Sequence, residues 1–404
     1  MGKVLNAIVV LVAVLGYYYI DFLQEVALPT ARRLISSEPT SSPLSGDFDV
    51  AGCAASAAEH LTDVHPVIGF HVLCITKTQH DTLQGMVFKD GFSGNQPVGF
   101  ETALDMGSLR VALEEKLDIP LPKTQLERQF KQLWAFFTTH GEKLDGLSKL
   151  YQDKVIYMME GGQFIWPGIR IGHKRTIKNL HGLGDIVMET LAMVPLVFSV
   201  EEFLRDDEID VILDLSMEHL APSGVSHHDG DEGKPATEWR TSTTYFLPSY
   251  RHPLIQGIDQ RVEDLVRVPK SHQEDVQVLR YELTQKYDHH TDYFPAESYQ
   301  KNPQLLENIH HGFKNRMITV FWYMSDVPAG GHTIFPRAGG RPSPESMRDC
   351  TVGLKVAPKK RKVVIFYSML PNGVTDPMSL HGGCPVEDGV KYSGNKWVWN
   401  KPRH

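Results

Sequence analysis

In the segment YDHHTDYF, residues 287–294, two histidines stand side by side and a carboxylate follows the second by two positions. An extended strand points side chains i and i+2 to one face, so His290 and Asp292 converge while His289 and Thr291 turn away. A neutral imidazole with a carboxylate is two thirds of the two-His-one-carboxylate face that holds non-haem Fe(II) and leaves coordination positions open. The same spacing recurs at His227 and Asp229 in SGVSHHDGDEGKP, but the Gly, Asp and Glu around it read as a loop. Context has to separate the two.

A third ligand is needed, and SLHGGCPVEDGVKY offers His381 in an apolar setting, with Lys391 ten residues later. Alone, a strand histidine is usually structural. Together with His290 and Asp292 on a β scaffold, His381 completes a facial triad whose open positions suit a bidentate 2-oxo acid and dioxygen. The far carboxylate of such an acid must be neutralised in a largely dry pocket, since an unpaired buried charge is very costly. Lys391 is placed to do this.

The elements that must position these groups change in texture along the chain. From Thr241 onward the runs MITVFWYM, KVVIFYSM and NKWVWNK are dense in β-branched and aromatic residues and bounded by Gly, Pro or Asn, as strands of a sandwich or jelly roll are. Upstream, VPLVFSVEEFLRDDEIDVILDLS, residues 194–216, reads as a strand, a start capped by Ser199 and Glu202, and one or two helices. In KTQLERQFKQLWAFFTTH, a Thr124/Glu127 capping box and the helical spacing of Leu126, Phe130, Leu133, Trp134 and Phe137 predict a core-facing helix. Short apolar stretches alternate with Gly-rich turns from about His65 to Ile119, which predicts a small mixed α/β module within residues 61–150, of unknown role.

The N-terminus reads as a membrane anchor or signal segment over residues 1–23, uncharged from Val4 to Ile20 and ending in the aromatic belt Tyr17-Tyr18-Tyr19. Lys3 on its short side favours a cytoplasmic N-terminus and a lumenal body, with Arg32 and Arg33 pulling the other way. The Ser- and Pro-rich stretch that follows reads as a flexible stalk, residues 24–60. A net charge of −8 argues against nucleic acid as a partner. Local basic patches occur; KVAPKKRK has the look of a nuclear localisation tract, but it leads straight into VVIFYSM and reads as a solvated turn before a buried strand. Four cysteines, Cys53, Cys74, Cys350 and Cys384, form no C-x-x-C pair, so zinc is not indicated, and a lumenal setting would permit disulfides.

Arg240-Thr-Ser242, then VQVLRYELTQKYDHHTDYF, NRMITVFWYMSDVPAGGHTIFP and LHGGCPVEDGVKYSGNKWVWNK, in that order, closely resemble the prolyl 4-hydroxylases, which depend on Fe(II) and 2-oxoglutarate. The likeness runs over roughly residues 189–402, within an oxygenase domain placed at 180–404. It implies a double-stranded β-helix (jelly-roll) core, so that with the N-terminal α/β module read above, which lies outside the likeness, the expected fold is mainly β with flanking helices (α+β). It also implies iron held by His290, Asp292 and His381, and the distal carboxylate of 2-oxoglutarate on Lys391, assisted by Tyr281 and Thr319. Arg240, Tyr287 and Trp397 match positions that line the peptide groove in family members, and Cys350 and Cys384 resemble a pair that can form a disulfide near the site. At Thr284 and Arg361 relatives usually have glycine, which implies altered local backbone rather than lost activity.

The activity implied is hydroxylation of peptidyl proline at C4 in proline-rich secretory-pathway proteins, coupled to decarboxylation of 2-oxoglutarate to succinate and CO2, with O2 and ascorbate as further cofactors. No side-chain acid or base is required. The expected location is the endoplasmic reticulum or Golgi membrane with the catalytic domain lumenal. Two other functions fit less of the sequence: a related dioxygenase acting on another residue or a small molecule, and an inactive oxygenase fold serving as a peptide-binding subunit. Intact His290, Asp292, His381 and Lys391 argue against the last.

Overall fold

The computed structural model describes residues 48–403. The anchor expected at 1–23 and most of the expected stalk lie outside the described residues. Among the described residues no helix is long and apolar enough to cross a membrane.

The folded N-terminal part begins earlier than its sequence suggests. Helix Val50–Ala57 is capped by Asp49, whose carboxylate accepts from the Gly52 N–H at 2.8 Å, and Cys53 on this helix is bonded to Cys74. A stalk reaching residue 60 is therefore corrected: a cap and a covalent tie fix the chain by residue 50. An antiparallel sheet follows, in the order Val98–Ala103, Thr82–Phe88, Phe70–Lys77, Ile156–Met159, Ala135–Thr138. Helix Met106–Leu117 packs Leu109, Leu113 and Leu117 on Leu73, Phe100, Trp134 and Met158 in one core. The module thus extends to Met159 rather than residue 150.

The helix predicted through Phe137 stops at Phe130. Its Thr124/Glu127 capping box forms as expected, but Lys131 is extended and Ala135–Thr138 is a strand. Leu133 is left 72% exposed while Trp134, Phe136 and Phe137 are buried. The aromatics that mimic helical spacing are in fact in alternation: Trp134 and Phe136 enter one core together. Likewise Ser199 caps nothing. It lies in strand Leu196–Val200, and helix Asp206–Asp214 instead starts at Arg205, whose backbone N–H is taken by Glu208.

The oxygenase part is built on an antiparallel nine-stranded sheet, whose central order is Leu196–Val200, Val363–Tyr367, Arg316–Tyr323, Lys391–Trp399, Val276–Tyr281, Thr243–Leu247. A four-stranded sheet, Tyr287–His290, His381–Gly383, Thr333–Phe335, Leu354–Val356, forms the smaller wall. Together they make the expected jelly roll, mostly strand with flanking helices. Helix Pro253–Val266, which the β texture beyond Thr241 conceals, buries Ile255, Ile258, Val262 and Leu265, with Pro253 at its first turn. From it the buried Arg261 makes a two-pronged ion pair with Glu208, at 2.7 and 2.6 Å. The basic tract is a turn, as predicted, and its charges are taken up: Lys359 and Lys362 pair with Glu201, Lys360 with Asp206 and Arg361 with Glu202.

Thr284 and Arg361 have φ of 68° and 74°. The backbone there keeps the left-handed conformation that glycine adopts freely, so the departures appear as strain rather than as an altered chain path. Arg361 offsets its strain through Nε to the Leu204 carbonyl at 2.9 Å and its pairing with Glu202. Thr284 is exposed and β-branched, with only its backbone N–H engaged, to the Val386 carbonyl at 2.8 Å. Thr284→Gly is expected to stabilise the chain by about 1 kcal/mol, read as a melting temperature higher by about 2 °C. An unchanged or lower value would show that the strain is absent.

Candidate active site

Strand Tyr287–His290 lies beside His381–Gly383 with His290 directly opposite His381. The chain leaves its strand after His290, and Asp292 turns in beyond the last ladder position. Ligand atoms of His290, Asp292 and His381 all lie within 4.8 Å of one another, the one such metal-capable group of three among the described residues. His290 Nε2 is 3.7 Å from Asp292 Oδ1, and His381 Nε2 is 3.5 Å from Asp292 Oδ2.

Neighbouring groups fix each ligand. His290 Nδ1 bonds the Asp288 carbonyl at 2.8 Å and His381 Nδ1 bonds the Ser379 carbonyl at 2.9 Å. A carbonyl can only accept, so the protons sit on Nδ1 and both Nε2 lone pairs face inward. Burial pushes the His290 imidazolium down to about 3, with His381 adding to the effect, and so holds the ring in its neutral, ligating form. For Asp292 burial pushes upward, but His381, His290, Arg316 and a hydrogen bond from Thr319 outweigh it, and the carboxyl titrates below its ordinary range. The Thr319 bond, Oγ1 to Asp292 Oδ2 at 2.6 Å, was not legible from spacing, since the two residues are 27 positions apart. Two imidazoles with Nε2 turned inward and a carboxylate, aimed at one point and steadied from behind, fit a ferrous ion.

One pocket is shared by His290, His381, Lys391, Tyr281, Thr319, Arg240 and Tyr287, with apolar walls from Leu279, Phe321 and Phe366. Lys391 is buried, and Nζ donates to the Gly331 carbonyl at 2.7 Å. Burial alone pushes its ammonium down to about 7. Tyr281, Phe321 and Tyr323 surround it, their ring centroids 5.3 to 5.5 Å from Nζ. Arg240, Tyr287 and His290 form a column: the guanidinium is 4.5 Å over the Tyr287 ring, which stacks on His290 at 3.6 Å. Tyr287 thereby braces His290 as well as facing the pocket.

Trp397 is not in the pocket lining. It is buried beside Thr319, its partner across the sheet, under the Arg316 guanidinium at 3.4 Å. The second H-x-D is engaged elsewhere, as the loop composition indicates: the Asp229 N–H bonds Ser298, its carboxylate accepts from the Lys301 N–H, and His228 packs edge-on to Tyr299. Cys350 is bonded to Cys384, three residues after His381, tying the loop before Leu354 to the end of the strand that carries His381.

The model of the 2OG-Fe(II) oxygenase superfamily matches residues 276–399. Probable prolyl 4-hydroxylase 4 of Arabidopsis thaliana is 37% identical over 211 residues, 50% of this chain and 67% of the relative. Probable prolyl 4-hydroxylase 3 of the same plant is 37% identical over 221 residues, 53% of this chain and 73% of the relative. The viral collagen prolyl hydroxylase of Paramecium Bursaria Chlorella virus-1 aligns over 50% of this chain and 95% of its own, at 24% identity and a TM-score of 0.36. Identity with the plant sequences over two thirds or more of their length is decisive. The chain belongs to the prolyl 4-hydroxylases of the 2OG-Fe(II) oxygenase superfamily, dioxygenases that use Fe(II), 2-oxoglutarate and O2, typically with ascorbate.

Proposed function

We propose that the enzyme hydroxylates C4 of peptidyl proline in proline-rich chains of the secretory pathway, converting 2-oxoglutarate to succinate and CO2. In this reading His290, Asp292 and His381 hold the iron and Lys391 receives the distal carboxylate of the co-substrate. The observation that carries it is Lys391: a buried ammonium whose one hydrogen-bond partner among the described residues is a carbonyl, in the same pocket as His290 and His381, two of the three convergent groups. An uncompensated buried charge is costly to fold around, and a dicarboxylic 2-oxo acid supplies the missing anion.

The bound iron supplies the oxidising chemistry, and the chain supplies geometry and a dry wall. The Asp288 and Ser379 carbonyls keep both imidazoles turned inward, Thr319 holds the Asp292 carboxylate, and Leu279, Phe321 and Phe366 exclude water from the co-substrate. Arg240 and Tyr287 line the pocket at positions that line the peptide groove in family members, which supports an extended, proline-rich chain in polyproline form as the substrate that passes the metal site. Two disulfides support an oxidising, lumenal compartment for the catalytic body, anchored by the N-terminal segment.

The test is the full chain with Fe(II), ascorbate and 2-oxoglutarate, offered proline-rich peptides. Succinate should accumulate in step with a gain of one oxygen on proline, read by mass. Succinate formed only with a lysine peptide or a small metabolite would end the prolyl assignment, and no succinate with any substrate would end the whole reading.

A further inference from the structure

The N-terminal module and the metal site meet through a turn whose purpose the reaction does not explain. Strand Val363–Tyr367 leads into a loop closed at its base by the Asp376 N–H to the Ser368 carbonyl at 2.8 Å. At its tip the Leu370 N–H bonds the Val374 carbonyl at 2.8 Å, and Asn372 Oδ1 accepts from the Val374 N–H at 3.0 Å. The module grips this tip backbone to backbone. The Gly161 N–H donates to the Pro371 carbonyl at 2.7 Å, and a Cβ on Gly161 would stand 2.6 Å from the Gly373 nitrogen. A Cβ on Gly69 would stand 2.5 Å from the Asn372 nitrogen. Neither position has room for a methyl group, and the obstructing atoms are main chain, which cannot swing aside.

Both glycines sit at one end of the paired strands Phe70–Lys77 and Ile156–Met159, and a buried polar network sets them there. The Asp90 carboxylate accepts from the Gly69 N–H at 2.9 Å, and the Asp90 N–H donates to His71 Nδ1 at 3.1 Å. His71 Nε2 therefore carries the proton and donates to Glu160 at 2.9 Å. His71 is fully buried in a module with no part in the chemistry, and this is a use for it. Beyond the tip the path to the metal is short and rigid. Asp376 caps the turn Pro377–Ser379 through Met378 N–H at 2.8 Å, its carbonyl takes the Ser379 hydroxyl at 2.6 Å, and the Ser379 carbonyl orients His381.

We propose that the N-terminal module is a positioning part of the oxygenase: the seat formed by Gly69 and Gly161 fixes the turn at residues 370–374 and, through Asp376 and Ser379, the orientation of His381. The proposal rests on His381 being a metal ligand. Gly161 is the residue to change, since its φ lies outside the left-handed range and alanine there adds only the clash.

The experiment measures Mn(II) affinity of the full chain from the electron paramagnetic resonance signal of free Mn(II). Five proteins are compared: wild type, His381→Ala, Gly161→Ala, Asn372→Ala and Leu113→Ala, the last a control that loosens a module core to which no residue of the turn belongs. Gly161→Ala and Asn372→Ala are expected to bind Mn(II) roughly 10-fold more weakly, the loss typical of disturbed outer-shell support, while folded Leu113→Ala binds as wild type does. Wild-type affinity in both turn variants, or an equal loss in Leu113→Ala, would overturn the proposal and leave the ligand assignment standing. If Gly161→Ala does not fold, the Asn372→Ala result decides alone. An unaltered His381→Ala would sink the ligand assignment and this inference with it.

Discussion

Asp292→Ala is expected to lose divalent-metal binding and turnover together, by more than about 100-fold, while the chain stays folded. Among the described residues the carboxylate is the one anion facing the two imidazoles, so none of them remains to replace it. Its support should be separable from it. Thr319→Val removes the 2.6 Å bond to Oδ2 at nearly constant volume and should weaken metal binding by about 10- to 100-fold, as outer-shell changes do. Isothermal titration with Mn(II) reads both. If Asp292→Ala binds metal normally, the three side chains are a polar cluster and not a ligand set.

Lys391→Met has two effects of opposite sign, and their opposition is the diagnostic. Without co-substrate the ammonium is a liability. Its acidity constant moves from the ordinary 10.5 to about 7 on folding, so between those values the unfolded chain binds more protons than the folded one and stability rises with pH. Below about pH 7 the penalty is complete, at about 1.4 kcal/mol for each tenfold change in acidity, hence of the order of several kcal/mol. The methionine variant should therefore melt higher than wild type at pH 6. It should also bind 2-oxoglutarate roughly 100-fold more weakly, because the distal carboxylate would then be buried without a cation. For wild type above pH 7, binding the dianion should take up close to one proton, seen as a heat that varies with the ionisation enthalpy of the buffer. A variant with unchanged co-substrate affinity would show that the lysine faces something else.

Much of this site could be read from the chain before any coordinates, for a physical reason. Two residues apart in an extended segment point the same way, and that rule found His290 and Asp292 even though the strand ends at the first of them. His381 and Lys391 were singled out because a ferrous face and a dicarboxylic acid would each need a partner from elsewhere in a β-rich chain, and the fold brings both into the pocket with His290. What local spacing could not show is contact made across the fold. Thr319 serves Asp292 from another strand, and Trp397 is covered by Arg316 rather than open to a peptide. Gly161 meets Pro371 across 210 positions. The helix read through Phe137 failed differently: Trp134 and Phe137 are three apart, as on a helix face, while Trp134 and Phe136 are two apart, as on a strand face, and the module core chose the second pair.

All four thiols of the chain are consumed in two crosslinks, Cys53 with Cys74 and Cys350 with Cys384, each closing a short loop and each within the part of the molecule it steadies. Four cysteines can be joined in three ways. Two of those three would bind the amino-terminal helix to the wall of the catalytic barrel and pull a ligand strand out of register. Chain made in a reducing host is thus expected to carry four free thiols, and its later oxidation has to select the native pairing from the three before the metal site is held as described.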